Sequence, residues 1–207
     1  AASDVYKRQD AIIIRYENSG DQYVVLIDAG NVSDSDKIKN YIWNHWKTYT
    51  IDLAICTHPD SDHKGGFFGL LNDRDVIINE FWLNTPEDVI KEDEYNRLYP
   101  KRNRLSHCRE CYDHPTDTDS LNLIDLAVSN KCNVYGAYCG KIHSHIPISV
   151  VGPSLDFYHP LAIEILKNNK RRKDEDNTIY NDIGYFSSVQ AKSSIDDEPD
   201  DCLLYTS

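Results

Sequence analysis

The densest chemistry in the chain lies in Thr57-His58-Pro59-Asp60-Ser61-Asp62-His63-Lys64-Gly65-Gly66, where two imidazoles and two carboxylates fall within six positions. Imidazole nitrogen and carboxylate oxygen are donors that zinc, iron or manganese accept. If the segment is a short loop whose side chains alternate in direction, His58, Asp60 and Asp62 point into one cavity and His63 reaches in beside them. The bare residues admit a second reading, a solvated Asx-rich turn whose acids cap a helix beginning near Gly66.

The flanking residues predict elements able to position such a loop. Residues 51–56 (IDLAIC) form a short apolar run with the look of a buried strand, and 66–71 open a helix after the polar stretch. A strand end that opens into a loop and then a helix is where α/β proteins place their sites. Upstream, residues 11–16 and 23–27 are apolar, β-branched and aromatic runs joined by a turn-rich linker with Gly20, which predicts a β-hairpin. Ile38, Tyr41, Ile42 and Trp46 recur at helical spacing after Asp34 and Ser35. Downstream, 76–83 predicts a strand and Pro86 the start of a helix running to about Leu98. A partly buried helix is expected over 120–130, strands over 133–138 and 146–151, a helix over 155–168 and a strand over 183–189. Trp43, Trp46 and Trp82 are expected to be packing aromatics. Alternating strands and helices imply a layered α/β architecture.

Composition bounds the function. The chain has 207 residues, 40% hydrophobic and 27% charged, which suits one globular domain with its own core. Its longest apolar segments, 11–14 and 23–27, are strand-sized, far short of a membrane span. Lys and Arg number 22 against 34 Asp and Glu, a net charge of −12, so the overall field repels polyanions. The basic clusters at 101–104 and 170–173 are expected to be solvated rather than nucleic-acid grips. Cys108-x-x-Cys111, with His107 and His114 nearby, lacks a second cysteine pair at finger spacing and reads as a helix carrying incidental thiols.

The two ends form a special case. Asp4–Gln9 (DVYKRQ) and Cys202–Ser207 (CLLYTS) can be encoded by DNA strings that are reverse complements of each other, and that DNA resembles the transposase ends used in sequencing libraries. Residues 1–9 and 202–207 are therefore expected to be a sequencing artefact and are left out of fold reasoning. On that expectation the native N-terminus is missing, and signal peptides or further domains outside 10–201 are invisible. The remaining cysteines, Cys56, Cys108, Cys111, Cys132 and Cys139, are odd in number, which favours a reduced, cytoplasmic setting.

His58-x-Asp60-x-Asp62-His63 resembles the metal motif of the metallo-β-lactamase superfamily, usually H-x-H-x-D-H, with aspartate in the second histidine position. Val24-Val25-Leu26-Ile27-Asp28-Ala29-Gly30 resembles that superfamily's first motif, an apolar strand ending in Asp and followed by Gly. The aspartate variant is most similar to the branch that includes the soluble domain of the DNA-uptake competence protein ComEC, as is Ile148-Ser149-Val150-Val151-Gly152-Pro153-Ser154. The resemblance implies a metallo-β-lactamase-like αββα sandwich over 10–201, incomplete at its C-terminus. It also implies two metal ions, zinc foremost, with manganese or iron as substitutes. His58 and Asp60 would ligate one and Asp62 and His63 the other, with a metal-bound hydroxide as nucleophile. Asp62 would act catalytically by orienting or deprotonating that nucleophile. Asp28 would fix the loop through hydrogen bonds, and Gly65 and Gly66 would turn the backbone and present helix N–H groups to an anionic substrate oxygen.

The function expected on this basis is metal-dependent hydrolysis of a phosphodiester or related ester, small-molecule or nucleic-acid in origin. The alternatives are a non-catalytic binding module of the same fold and a hydrolase of a small anionic or thioester substrate, the last favoured by the acidic charge. The family's downstream ligands are not evident before Asp201: His143, His145 and His159 match by type and are expected to be surface or structural histidines.

Overall fold

Apolar β-branched runs separated by amphipathic helices pair into a parallel sheet, and the computed structural model, which describes residues 11–18, 20–174 and 204–206, shows that sheet. Five strands run in the order β1-β2-β3-β4-β5: β1 (Ile12–Asn18), β2 (Asp21–Ile27), β3 (Thr50–Ile55), β4 (Ile77–Trp82) and β5 (Asn133–Tyr135). β1 and β2 form the expected antiparallel hairpin, and the other neighbours are parallel. A separate antiparallel pair joins β6 (Ile148–Val150) to β7 (Leu204–Thr206). The strand expected over 183–189 lies outside the described residues.

Parallel neighbours need crossovers, and helices supply them. α1 (Ser35–Trp46) links β2 to β3, and α2 (Ser61–Asn72) links β3 to β4. Alternation along the strands divides the core between two faces. Val24, Leu26, Ala54 and Phe81 pack with Ile38 and Ile42 of α1, Phe67, Phe68, Leu70 and Leu71 of α2, and the buried side of α6 (Leu123–Ser129). On the other face Val25, Ile27, Leu53, Ile55 and Trp82 meet Ala137, Ile146, Ile148 and Val150.

A third cluster unites α3 (Pro86–Val89), α4 (Glu92–Leu98), α5 (Arg104–Arg109) and α7 (Leu155–Asp174) around Ile90, Tyr95, Cys108, Tyr158, Ala162 and Leu166. Here the single helix expected over 86–98 divides in two. The Arg104 guanidinium donates to the carbonyls of Glu87 and Ile90, taking over acceptors that a continuous helix would have used. The basic stretch over 101–104 is a source of such internal ties: Arg102 also bonds Glu110 and contacts His107. Trp43 departs from expectation as well, lying 40% exposed and stacked on Tyr49 at a centroid distance of 4.6 Å.

α2 begins five residues earlier than the apolar pattern indicates, because the His63 and Lys64 N–H groups donate to the Asp60 carbonyl and start the helix there. Asp62 and His63 therefore sit on its first turn rather than in an extended loop. Gly65 and Gly66 lie inside the helix, without positive φ, in place of the expected sharp turn. Their role is close approach: a Cβ on Gly65 would lie 2.6 Å from the Val32 nitrogen, and one on Gly66 would overlap the Ala29 carbonyl oxygen. The contact is hydrogen-bonded, with Ala29 N–H donating to His63 O at 2.8 Å and Gly66 N–H to Gly30 O at 3.0 Å. The Gly66 N–H is thus engaged by the chain and not turned to a substrate oxygen.

Two outcomes follow from this packing. Gly66→Ala should lower the unfolding free energy by about 3 kcal/mol, the upper range for overpacking a rigid contact, and an unchanged urea midpoint would contradict the contact. Cys108 and Cys111 are buried, with thiols that burial pushes up to about 12, whereas Cys139 is exposed. Iodoacetamide at about pH 8, applied to the folded protein, should label Cys139 and spare Cys108 and Cys111 in peptide mass maps, since only the thiolate reacts. Equal labelling of the three would contradict the core assignment.

Candidate metal centre

The C-terminal ends of β2, β3 and β4 lie side by side, through the register Ile27 to Ile55 to Trp82. The backbone continues that alignment past the strands: Asp28 N–H donates to Ile55 O at 2.8 Å and Cys56 N–H to Trp82 O at 2.9 Å. Asp28 consequently lies next to the Cys56–His58 segment. This is the position at which parallel sheets collect functional groups.

Asp28 is buried and adopts φ 54°, a left-handed conformation uncommon for a residue with a Cβ. Its carboxylate explains why the conformation is held. Oδ1 accepts the Thr57 N–H at 2.8 Å, and Oδ2 accepts the Thr57 hydroxyl at 2.6 Å and the His63 Nδ1 at 2.8 Å. An ionised carboxylate only accepts, so His63 carries its proton on Nδ1. In the neutral imidazole the lone pair then lies on Nε2, the arrangement seen when a carboxylate orients a metal-binding histidine.

The remaining donors gather on the Nε2 side. His63 Nε2 is 3.9 Å from Asp62 Oδ2, and His58 Nε2 is 3.5 Å from Asp60 Oδ2. The two imidazole rings are 3.8 Å apart between centroids. Two ligand atoms on one tetrahedral zinc, each bonded at about 2.1 Å, are separated by about 3.4 Å. The donor types and spacings therefore fit a divalent cation. Among the described residues, one group of three or more ligating side chains has donor atoms within 4.8 Å of one another: Asp28, His58 and His63. Asp60 and Asp62, expected as ligands, are not members of that group.

The capping alternative is met in part, through position rather than side-chain bonding. Asp60 is the N-cap of α2 yet makes no side-chain cap hydrogen bond, and the Asp62 side chain is 53% exposed. The downstream histidines are occupied elsewhere. His143 Nδ1 accepts from the His145 and Ile146 N–H groups, and burial against the sheet lowers its pKa. His145 stacks on Tyr23, and His159 meets Glu94 at 2.9 Å. Around the Cys-x-x-Cys segment, His107 bonds Tyr95 and the Leu166 carbonyl, and His114 packs on Phe68, so no zinc cluster forms there among the described residues.

Two contributors escaped the sequence reading. Thr57 binds Asp28 and lies 2.9 Å from His58 Nδ1 through its hydroxyl. The buried Cys56 thiol, its pKa raised by burial, donates to the His58 carbonyl at 3.1 Å. The available signal was position alone, a hydroxyl and a thiol between an apolar strand and the first histidine.

No helix among the described residues is long and apolar enough to cross a membrane. No curated protein and no solved structure matches the chain. Residues 7–159 match the sequence model of the Metallo-beta-lactamase superfamily. That stretch holds the parallel sheet, the Asp28 turn and the His58–His63 segment. On this match, which spans well over half its length, the chain belongs to the metallo-β-lactamase superfamily, most of whose members are metal-dependent hydrolases.

Proposed function

We propose that this protein is a metal-dependent hydrolase of phosphodiesters or related esters, with two divalent cations, zinc foremost, held between His58 and Asp60 and between Asp62 and His63. The observation that carries the reading is the convergence of two imidazole–carboxylate pairs, at 3.5 and 3.9 Å, beside a buried carboxylate that orients one of the rings. Divalent cations in such a site supply Lewis acidity that makes water nucleophilic near neutral pH, and a pair of them suits phosphodiesters because both the attacking and the leaving oxygen are stabilised. The chain's own groups do the rest. Asp62, exposed on the first turn of α2, takes up the proton of the attacking water at a carboxylate oxygen. Asp28 holds the His63 ring in one orientation by accepting from Nδ1. The N-terminus of α2 adds a positive dipole end beside the anionic substrate.

The phosphodiester preference rests on the aspartate-containing segment Thr57–Gly66, which resembles the branch that includes the soluble domain of ComEC. A small anionic or thioester substrate is the second reading, favoured by the net charge of −12, which disfavours approach of a long polyanion.

The test combines metal content with turnover. Purified protein should retain zinc, and Asp62→Ala and His63→Ala should lose it while remaining folded by circular dichroism. Hydrolysis of bis(p-nitrophenyl) phosphate should fall by about 10²–10⁴-fold in Asp62→Asn and vanish on chelation, returning when zinc is restored. Turnover of a thioester alone would favour the second reading. Retained zinc with no turnover of any ester would make the protein a binding module, and unchanged zinc content in both alanine variants would overturn the site.

A further inference from the structure

We infer that Thr57 is a positioning residue that fixes the tautomer of His58: its hydroxyl relays the charge of Asp28 and keeps the His58 proton on Nδ1, so that Nε2 faces Asp60 with its lone pair. The inference rests on the metal-site reading above and concerns a residue that reading leaves without a role.

The proton count leads to it. Thr57 Oγ1 lies 2.6 Å from Asp28 Oδ2 and 2.9 Å from His58 Nδ1. A proton must lie between two oxygens 2.6 Å apart. The carboxylate has none to give, so the threonine hydroxyl supplies it. A hydroxyl owns a single proton, and Oγ1 can therefore only accept from His58. Nδ1 must be the nitrogen that donates. The Thr57 backbone N–H, bonded to Asp28 Oδ1 at 2.8 Å, holds the hydroxyl in register for both contacts.

Asp28 thus governs both imidazoles of the candidate centre, His63 by direct contact and His58 through one intervening hydroxyl. Both rings present Nε2 as the metal-facing atom. A ring whose tautomer is left open must shift its proton before it can ligate, and loss of such an orienting partner typically weakens metal binding by about 10–100-fold. Serine can make the same relay, whereas valine keeps the shape of threonine and removes it.

The experiment reads the tautomer in metal-free, ¹⁵N-labelled full-length protein by long-range ¹H–¹⁵N correlation at about pH 8, where an ordinary imidazole is neutral. The His58 signals are assigned by their loss in His58→Gln. Wild type and Thr57→Ser should show His58 protonated on Nδ1, and Thr57→Val should move the proton toward Nε2. In competition with a chromogenic chelator, zinc affinity should drop by about 10–100-fold in Thr57→Val and stay near wild type in Thr57→Ser. A wild-type His58 protonated on Nε2 would overturn the inference without recourse to any variant, as would a Thr57→Val protein with the wild-type tautomer and zinc affinity. Because the tautomer is read without metal or substrate, its outcome stands apart from whether the protein proves to be a hydrolase.

Discussion

The buried Asp28 carboxylate joins segments that are remote in sequence. It closes β2 in a left-handed conformation, accepts from the backbone and hydroxyl of Thr57 at the end of β3, and accepts from His63 on the first turn of α2. A buried charge without hydrogen bonds would be strongly disfavoured, so each bond that stabilises it also fixes a part of the site. The strand ends, the helix start and the orientation of an imidazole become one structural problem with one solution. The glycines of α2 belong to that solution, since only a helix without Cβ atoms at 65 and 66 can lie against residues 29–32 closely enough to bring His63 to Asp28.

Much of this was legible from the sequence, and the reasons are specific. The hairpin, the α1 helix and the β3 strand follow from apolar periodicities that burial enforces on both faces of the sheet. The His58–His63 segment stood out because ligating residue types are rarely so dense. The start of α2 was hidden because Pro59, Asp60 and Ser61 read as loop residues, and the helix begins on the Asp60 carbonyl, a backbone event with no side-chain signature. The break between α3 and α4 was hidden for a related reason: Arg104, fourteen residues downstream of Ile90, supplies the donors that end α3. Thr57 could not be assigned from spacing, because its role depends on a proton shared with a residue twenty-nine positions away.

The same comparison explains why type alone misleads for the other candidate ligands. His107, Cys108 and Cys111 have the identities of a metal site, but the fold directs them into its cores, where Tyr95, Leu166 and the surrounding apolar side chains satisfy them. His143 and His159 likewise serve local contacts with loop N–H groups and with Glu94. At the strand ends, by contrast, imidazole and carboxylate face one another on the open side of the site. That difference in surroundings, and not residue identity, makes His58 and His63 the candidate ligand pair.

The central claim is that His58 and His63, organised from Asp28, hold a metal together with carboxylates and without cysteine. Zinc X-ray absorption on the metal-loaded protein tests it most directly. The account predicts a first shell of nitrogen and oxygen at about 2.0–2.1 Å, with the outer-shell scattering of imidazole. A first shell containing sulfur at about 2.3 Å, or a spectrum without imidazole scattering, would place the metal elsewhere and contradict it.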